Sequence, residues 1–272
     1  MIGIFRSDDG RLGYQGDTFQ VMLNRYSDPD RLNLARNAAI YLGKKDRDNI
    51  KRPLNIIRDG HVPAIFRGEH AEFEFIDVSK EVYDHIITYT TANMRATGGN
   101  RALASKDYTM PGDKIKNPEA VRTSIEDSMW NYTHLMNDRK ETKQVARSAM
   151  PVAAKMNPFV YQFNFVTLGE SIFKQRIWEK GAQSNTAKVV EGMFELCKYM
   201  DEPLWQMFYE HKGSPALQWE EVRKKLKKEG LTIGQLYDEL DKVFLDPDKS
   251  QNGNRLLVDY LVERSGGLKS MW

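Results

Sequence analysis

The 272-residue chain carries 40 basic and 38 acidic side chains for a formal charge of +2. That balance excludes a global field drawing nucleic acid or an anionic membrane, and makes any anion site local. Its single cysteine, Cys197, excludes an intrachain disulfide and a thiolate zinc cluster and fits a reducing, cytoplasmic setting. With 40% hydrophobic and 11% aromatic residues, a sizeable soluble core is within reach. No apolar run approaches ~18 residues and residues 1–24 are too polar for a signal peptide, so neither a membrane span nor that secretory route is expected.

Two short apolar runs, residues 2–5 and 19–23, flank Asp8-Asp9-Gly10 and read as strands around a turn. Helical spacing of Leu32, Leu34, Ala35, Ala38, Ala39 and Leu42 follows the start signal Asp28-Pro29 and ends at Gly43. A second helix spans residues 51–59, with Pro53 tolerable only in its first turn. Residues 72–77 alternate polar and apolar, the period of a half-buried strand. Ser79 then caps a helix bearing Val82, Tyr83, Ile86, Ile87 and Tyr89, which fades near Arg95. Residues 93–113 hold Gly98-Gly99 and Pro111-Gly112 and read as a long loop.

Helices follow at residues 118–136 after an Asn117 cap, 141–150, 163–179 and 182–200, and Asp201 caps a further turn through Phe208. A break near Gly213 to Pro215 precedes probable helices at 219–228, 233–244 and 256–262. Strands at the start and helices afterwards predict an α+β class: a small N-terminal antiparallel sheet with a large helical part. The break divides a core of residues 1–212 from a helical extension of residues 213–272. Lys224-Lys225-Lys227-Lys228 could touch nucleic acid, but Glu220, Glu221 and Glu229 flank it, and a solvated charged face is the simpler reading.

Chemistry-bearing residues concentrate in the core. Gly60-His61 and Glu69-His70 place two imidazoles and a carboxylate close in sequence, with loop histidines as the bland alternative. Arg95-Ala96-Thr97 is followed after seven residues by Ser105-Lys106-Asp107-Tyr108. Arg147 stands just before the helix-stopping Met150-Pro151, and Asn164, Arg176 and Ala182-Gln183 follow. A guanidinium suits a phosphate because it offers paired donors in a fixed plane, although each arginine alone also fits a solvated helix face. There is no glycine-rich phosphate loop, and no third ligand at metal-binding spacing beside the two histidines.

In order and spacing these segments resemble the flavin-dependent thymidylate synthases over about residues 35–210. That family's Arg-His-Arg signature is degenerate: Ala96, Thr97, Leu103 and Asp107 stand where it has histidine, arginine, glutamate and arginine. Asp107 would repel a dianionic phosphate, and Lys106 or Arg101 could compensate. The resemblance implies that His61, Arg95, Asn164 and Glu69 contact FAD. It further implies that Arg147, Arg176, Ser105, Lys106 and Gln183 bind a pyrimidine nucleotide, with Ser105 and Arg176 at the reacting centre. It also implies NADPH and methylenetetrahydrofolate as co-substrates, a homotetramer with shared sites, and C5 methylation of dUMP or a related nucleotide. Hydroxymethyl transfer, or a noncatalytic binding or assembly module, are the alternatives that the departures keep open.

Overall fold

The computed structural model describes residues 2–59, 64–89, 94–97, 107–112, 115–179, 183–213, 217, 218, 224 and 228. The chain divides into two compact units, Met1–His211 and Lys212–Trp272. In the second unit residues 217, 218, 224 and 228 are helical; the rest of the helices expected at 219–262 lies outside the described residues.

The first unit is built on a six-stranded antiparallel sheet of order β1-β2-β3-β4-β6-β5. Its strands are β1 (Gly3–Arg6), β2 (Leu12–Gln15), β3 (Gln20–Tyr26), β4 (His70–Ile76), β5 (Met94–Thr97) and β6 (Phe159–Asn164). The alternation of Glu72, Phe73, Glu74 and Phe75 appears in β4 as half-buried and buried residues in turn, because successive side chains leave a strand on opposite faces. Register lines up Leu12, Leu23, Phe73, Tyr161 and Arg95 across five strands. Arg95 therefore ends a row that is otherwise core.

Helix α6 (Ser184–Met200) covers the inner face, burying Val189, Val190, Met193, Leu196 and Cys197. Gly192 permits the approach, since a Cβ there would lie 2.7 Å from the Tyr14 ring on β2. Helix α1 (Leu32–Tyr41) buries Leu34, Ala35, Ala38 and Ala39, the apolar stripe read from the sequence. Its start is held by Asp28, whose carboxylate accepts from the amides of Asn33 (3.0 Å) and Leu34 (2.8 Å). Helices α2 (Arg52–Arg58) and α3 (Lys80–Ile86) match expected segments with shorter ends, α4 (Pro118–Asn137) runs one residue past its expected end, and α5 (Lys143–Ala146) lies inside the segment expected at 141–150. Helix α7 (Glu202–Lys212) starts where Asp201 accepts from the Leu204 amide at 3.2 Å. Among the described residues no helix is long and apolar enough to cross a membrane.

Several expectations are corrected. The sheet is not confined to the N-terminus: β5 falls inside the expected loop 93–113, and β6 claims Phe163 and Asn164 from the helix expected at 163–179. The helix that follows, Thr167–Trp178, is π-helical. The helix expected at 141–150 is a single turn, α5, continued by a 3₁₀ turn at Arg147–Ala149. Ser79 occupies the N-cap position of α3, but its hydroxyl makes no capping bond.

The π-helix packs into an aromatic cluster. Phe173 meets Phe194 and Trp205 edge-on at 5.1 and 5.3 Å between centroids, and Trp205 stacks on Phe208 at 5.3 Å. These are geometries that aromatic quadrupoles favour. Trp205 also donates its indole N–H to the Tyr26 hydroxyl at 2.8 Å, which satisfies the polar end of a fully buried ring.

Candidate active site

Where the end of α3, strands β5 and β6, the π-helix and the start of α6 converge, polar side chains form one network. Arg176, near the end of the π-helix, donates from Nε to the Tyr89 hydroxyl at 2.9 Å, and its guanidinium lies 5.5 Å from the Tyr89 ring centroid. Tyr89 in turn donates to Oε1 of Gln175 at 3.1 Å. The hydroxyl of Tyr161 donates to the Tyr89 carbonyl at 3.2 Å, and Tyr161 is the register partner of Arg95. One helical turn before Tyr89, Nδ1 of His85 meets the Thr186 hydroxyl at 2.7 Å. Thr186 reaches Oε1 of Gln183 at 3.4 Å. With the threonine hydrogen directed to that carbonyl, Nδ1 of His85 carries its own proton and Nε2 is left as an acceptor.

Burial and neighbours tune these groups. Burial, then the nearby Arg176 charge, lowers the His85 pKa and favours neutral imidazole. Burial raises Tyr89 against the opposing pull of Arg176, and raises Tyr161 against that of Arg95. The phenols therefore stay protonated, as donors, beside cations.

The sequence-chosen residues divide into three groups. Arg95, Arg176 and Gln183 join this network directly or through one neighbour. Arg147 sits elsewhere, on the 3₁₀ turn packed against α4, half-buried. Like Arg95, it has no ion-pair or hydrogen-bond partner for its guanidinium among the described residues. Glu69 and Asn164 are buried at the other end of the β4–β6 pair. Glu69 accepts from Ser27 at 2.5 Å and from the Asn33 amide, and Asn164 accepts from the Thr167 amide at 2.8 Å, starting the π-helix. Both tie secondary structure together in this chain. His61, Ser105 and Lys106 lie outside the described residues.

Asp107, the substitution expected to repel phosphate, is instead neutralised: Lys155 reaches its carboxylate at 2.6 Å, and that bond holds its pKa down. Sequence reasoning missed His85 and Tyr89 as polar participants. The available signal was their spacing of four, which the apolar Ile86 and Ile87 mask; in the structure α3 ends at Ile86 and Tyr89 follows its last turn.

The fold, an antiparallel sheet backed by helices, is similar to that of solved flavin-dependent thymidylate synthases and of a UMP/dUMP methylase. No family model and no curated protein matches the chain by sequence. Among solved structures it is similar to a UMP/dUMP methylase, PolB from Streptomyces cacaoi bound with 5-Br dUMP, at 15% identity and a TM-score of 0.59 over 71% of this chain and 96% of that one. It is likewise similar to the flavin-dependent thymidylate synthase ThyX of Helicobacter pylori complexed with FAD and dUMP, at 16% identity and a TM-score of 0.53 over 67% and 97%. At such identities the likeness establishes the fold.

Proposed function

We propose that this protein is a flavin-dependent C5 methyltransferase of a pyrimidine nucleotide, with dUMP or UMP as substrate. The observation that carries the reading is the convergence of Arg95 and Arg176, chosen from sequence, on one tyrosine-lined network within a fold whose similar structures hold uridine nucleotides. The donor set fits FAD and a nucleotide. Arg95 and Arg147 offer guanidinium forks with no hydrogen-bond or ion-pair partner among the described residues, suited to phosphate, and Tyr89 and Tyr161 offer protonated hydroxyls. FAD, with NADPH and methylenetetrahydrofolate as co-substrates, would supply the hydride and carbon-transfer chemistry.

The chain's own residues would bind and orient. Arg176, its guanidinium plane oriented by Tyr89, presents its remaining N–H groups to an anion or carbonyl, and His85 offers an uncharged acceptor a turn away. Such chemistry needs orientation more than a protein nucleophile. Arg147, remote from the network within one chain, would complete a neighbouring site in a homotetramer. The face of α4 carrying Trp130 (62% exposed), together with Val145 and Val152, supports such an assembly.

Purification and titration test the reading. A yellow protein that quenches flavin fluorescence and makes product from dUMP or UMP with NADPH and methylenetetrahydrofolate is expected. Loss of product in Arg147→Ala with flavin still bound would reject the binding-module alternative. A colourless protein that binds neither flavin nor nucleotide would overturn the proposal.

A further inference from the structure

A guanidinium can meet paired acceptors along either of two edges, side-on through Nε and one Nη or end-on through both Nη atoms. In Arg176 the side-on edge is already taken. Its Nε donates to the Tyr89 hydroxyl at 2.9 Å, and that hydroxyl commits its own hydrogen to Oε1 of the adjacent Gln175 at 3.1 Å. Nη1 and Nη2 have no hydrogen-bond partner among the described residues, and the residue is half-buried. The arginine therefore keeps one edge occupied and one edge open.

Tyr89 is held in place from both ends of its backbone. It follows the last turn of α3, where its amide donates to the Ile86 carbonyl at 3.4 Å. Its carbonyl accepts from the Tyr161 hydroxyl at 3.2 Å, and Tyr161 is itself 3% exposed in β6, packed 4.4 Å from Phe163 between ring centroids. The sheet core thus fixes where the phenol stands. Burial raises the Tyr89 pKa and keeps the proton on despite Arg176, so the hydroxyl accepts from Nε while still donating to Gln175. An arginine left to itself swings through several rotamers; this one is restrained before any ligand arrives.

We propose that Tyr89 is a positioning residue that selects the edge of Arg176: by engaging Nε it withholds the side-on edge and leaves the Nη1–Nη2 edge to grip an oxygen of the uridine nucleotide. This depends on Arg176 binding the nucleotide, and adds which donors it uses and what sets them. Phenylalanine would keep the ring and its packing but release Nε, so the hydroxyl alone carries the selection. Preorganisation of this kind raises affinity by removing motion that binding would otherwise have to freeze. A merely structural tie between α3 and the π-helix would instead change folding stability and leave the grip of Arg176 on the nucleotide untouched.

A double-mutant cycle of Tyr89→Phe and Arg176→Met, read by calorimetric titration of the full chain with dUMP and UMP, tests this. Tyr89→Phe is expected to weaken binding about tenfold, the size of one charge-assisted hydrogen bond, and to cost nothing further once Arg176→Met has removed the guanidinium. Nitrogen–proton NMR of the arginine side chains reads the contact itself and needs no variant. The Arg176 Nε–H should exchange slowly with solvent in wild type and stay in place at saturating nucleotide while the Nη signals shift; in Tyr89→Phe it should exchange fast and move on titration. Wild-type affinity in Tyr89→Phe, the same loss in both backgrounds, or an Nε–H that moves with nucleotide in wild type would each overturn the proposal. Wild type that binds neither nucleotide would overturn the assignment of Arg176 to the nucleotide and this role with it, and the two failures are distinguished by whether the unaltered protein binds.

Discussion

Arg176 illustrates how a single side chain is fixed by two different forces. Its Nε bond to Tyr89 restrains the guanidinium plane, and the ring beneath it adds a cation–π attraction of about 0.5–1 kcal/mol. Lysine keeps the charge but reproduces neither the fork nor the plane. Arg176→Lys is therefore expected to weaken nucleotide binding about tenfold while shifting the thermal midpoint little, as measured by calorimetric titration and melting. The same arginine depresses His85, second to burial. Removing it in Arg176→Gln should raise the His85 titration toward its ordinary value, read from imidazole NMR shifts. The sign for stability follows. Because folding lowers the His85 pKa, its contribution is present above the unfolded value near 6.5 and is lost as pH falls below it; the Gln variant should lose less. At this scale the resemblance singles out Arg95, Arg176 and Gln183, and the structure brings the three near one another. The sequence could not identify Tyr89 as the common partner, because that role depends on β6 delivering Tyr161 and the π-helix delivering Arg176 to the end of α3.

The π-helix exposes the limit of periodicity as a guide. Residues 163–179 carry apolar positions compatible with an ordinary helix, yet Thr167–Trp178 is π-helical, with Gly169 seated against Phe208. A Cβ on Gly169 would lie 2.5 Å from the Phe208 ring. That ring is fully buried against Trp205 and Phe66 and has little room to yield. Gly169→Ala is expected to destabilise by about 1–3 kcal/mol despite the better helix propensity of alanine, seen as a lower urea midpoint with an unchanged slope. The strands were unequally legible. Residues 72–77 alternate, which is enough to predict β4. In contrast, Phe159–Asn164 is aromatic-rich and bounded by a turn signal only at its start, Asn157-Pro158, and Met94–Thr97 is exposed throughout. Their pairing is the cause of their structure, and pairing across sixty or more residues of chain leaves no local trace. Ser79 shows a related limit: its residue type favours a cap and it does occupy the N-cap position, yet its hydroxyl makes no capping bond.

At the scale of the first unit, distant segments are joined by a buried charge. Asp201, which caps α7, also receives Arg31, the left-handed residue at the entry to α1. Its side chain is fully buried, and its second carboxylate oxygen has no hydrogen-bond partner among the described residues. Burial outweighs the arginine and lifts the Asp201 pKa from 3.8 to about 6. Asp28, which caps α1, is raised by burial as well. Folding thus favours the protonated acid. The stability contributed by Asp201 is complete below its unfolded pKa of 3.8 and is lost as pH rises through about 6, a change on the order of 2–3 kcal/mol. Asp9 and Asp107, held low by hydrogen bonds, contribute in the opposite sense, so the wild-type profile alone mixes the two. Asp201→Asn keeps an acceptor for Arg31 and the Leu204 amide but cannot ionise. The difference in unfolding free energy between wild type and this variant, measured by urea titration from pH 4 to 8, isolates the single group. Wild type should be favoured most near pH 4, and that advantage should shrink by roughly 2–3 kcal/mol by pH 7. A difference that stays flat across the range would show that the Asp201–Arg31 pair remains ionised throughout, with burial offset by the arginine.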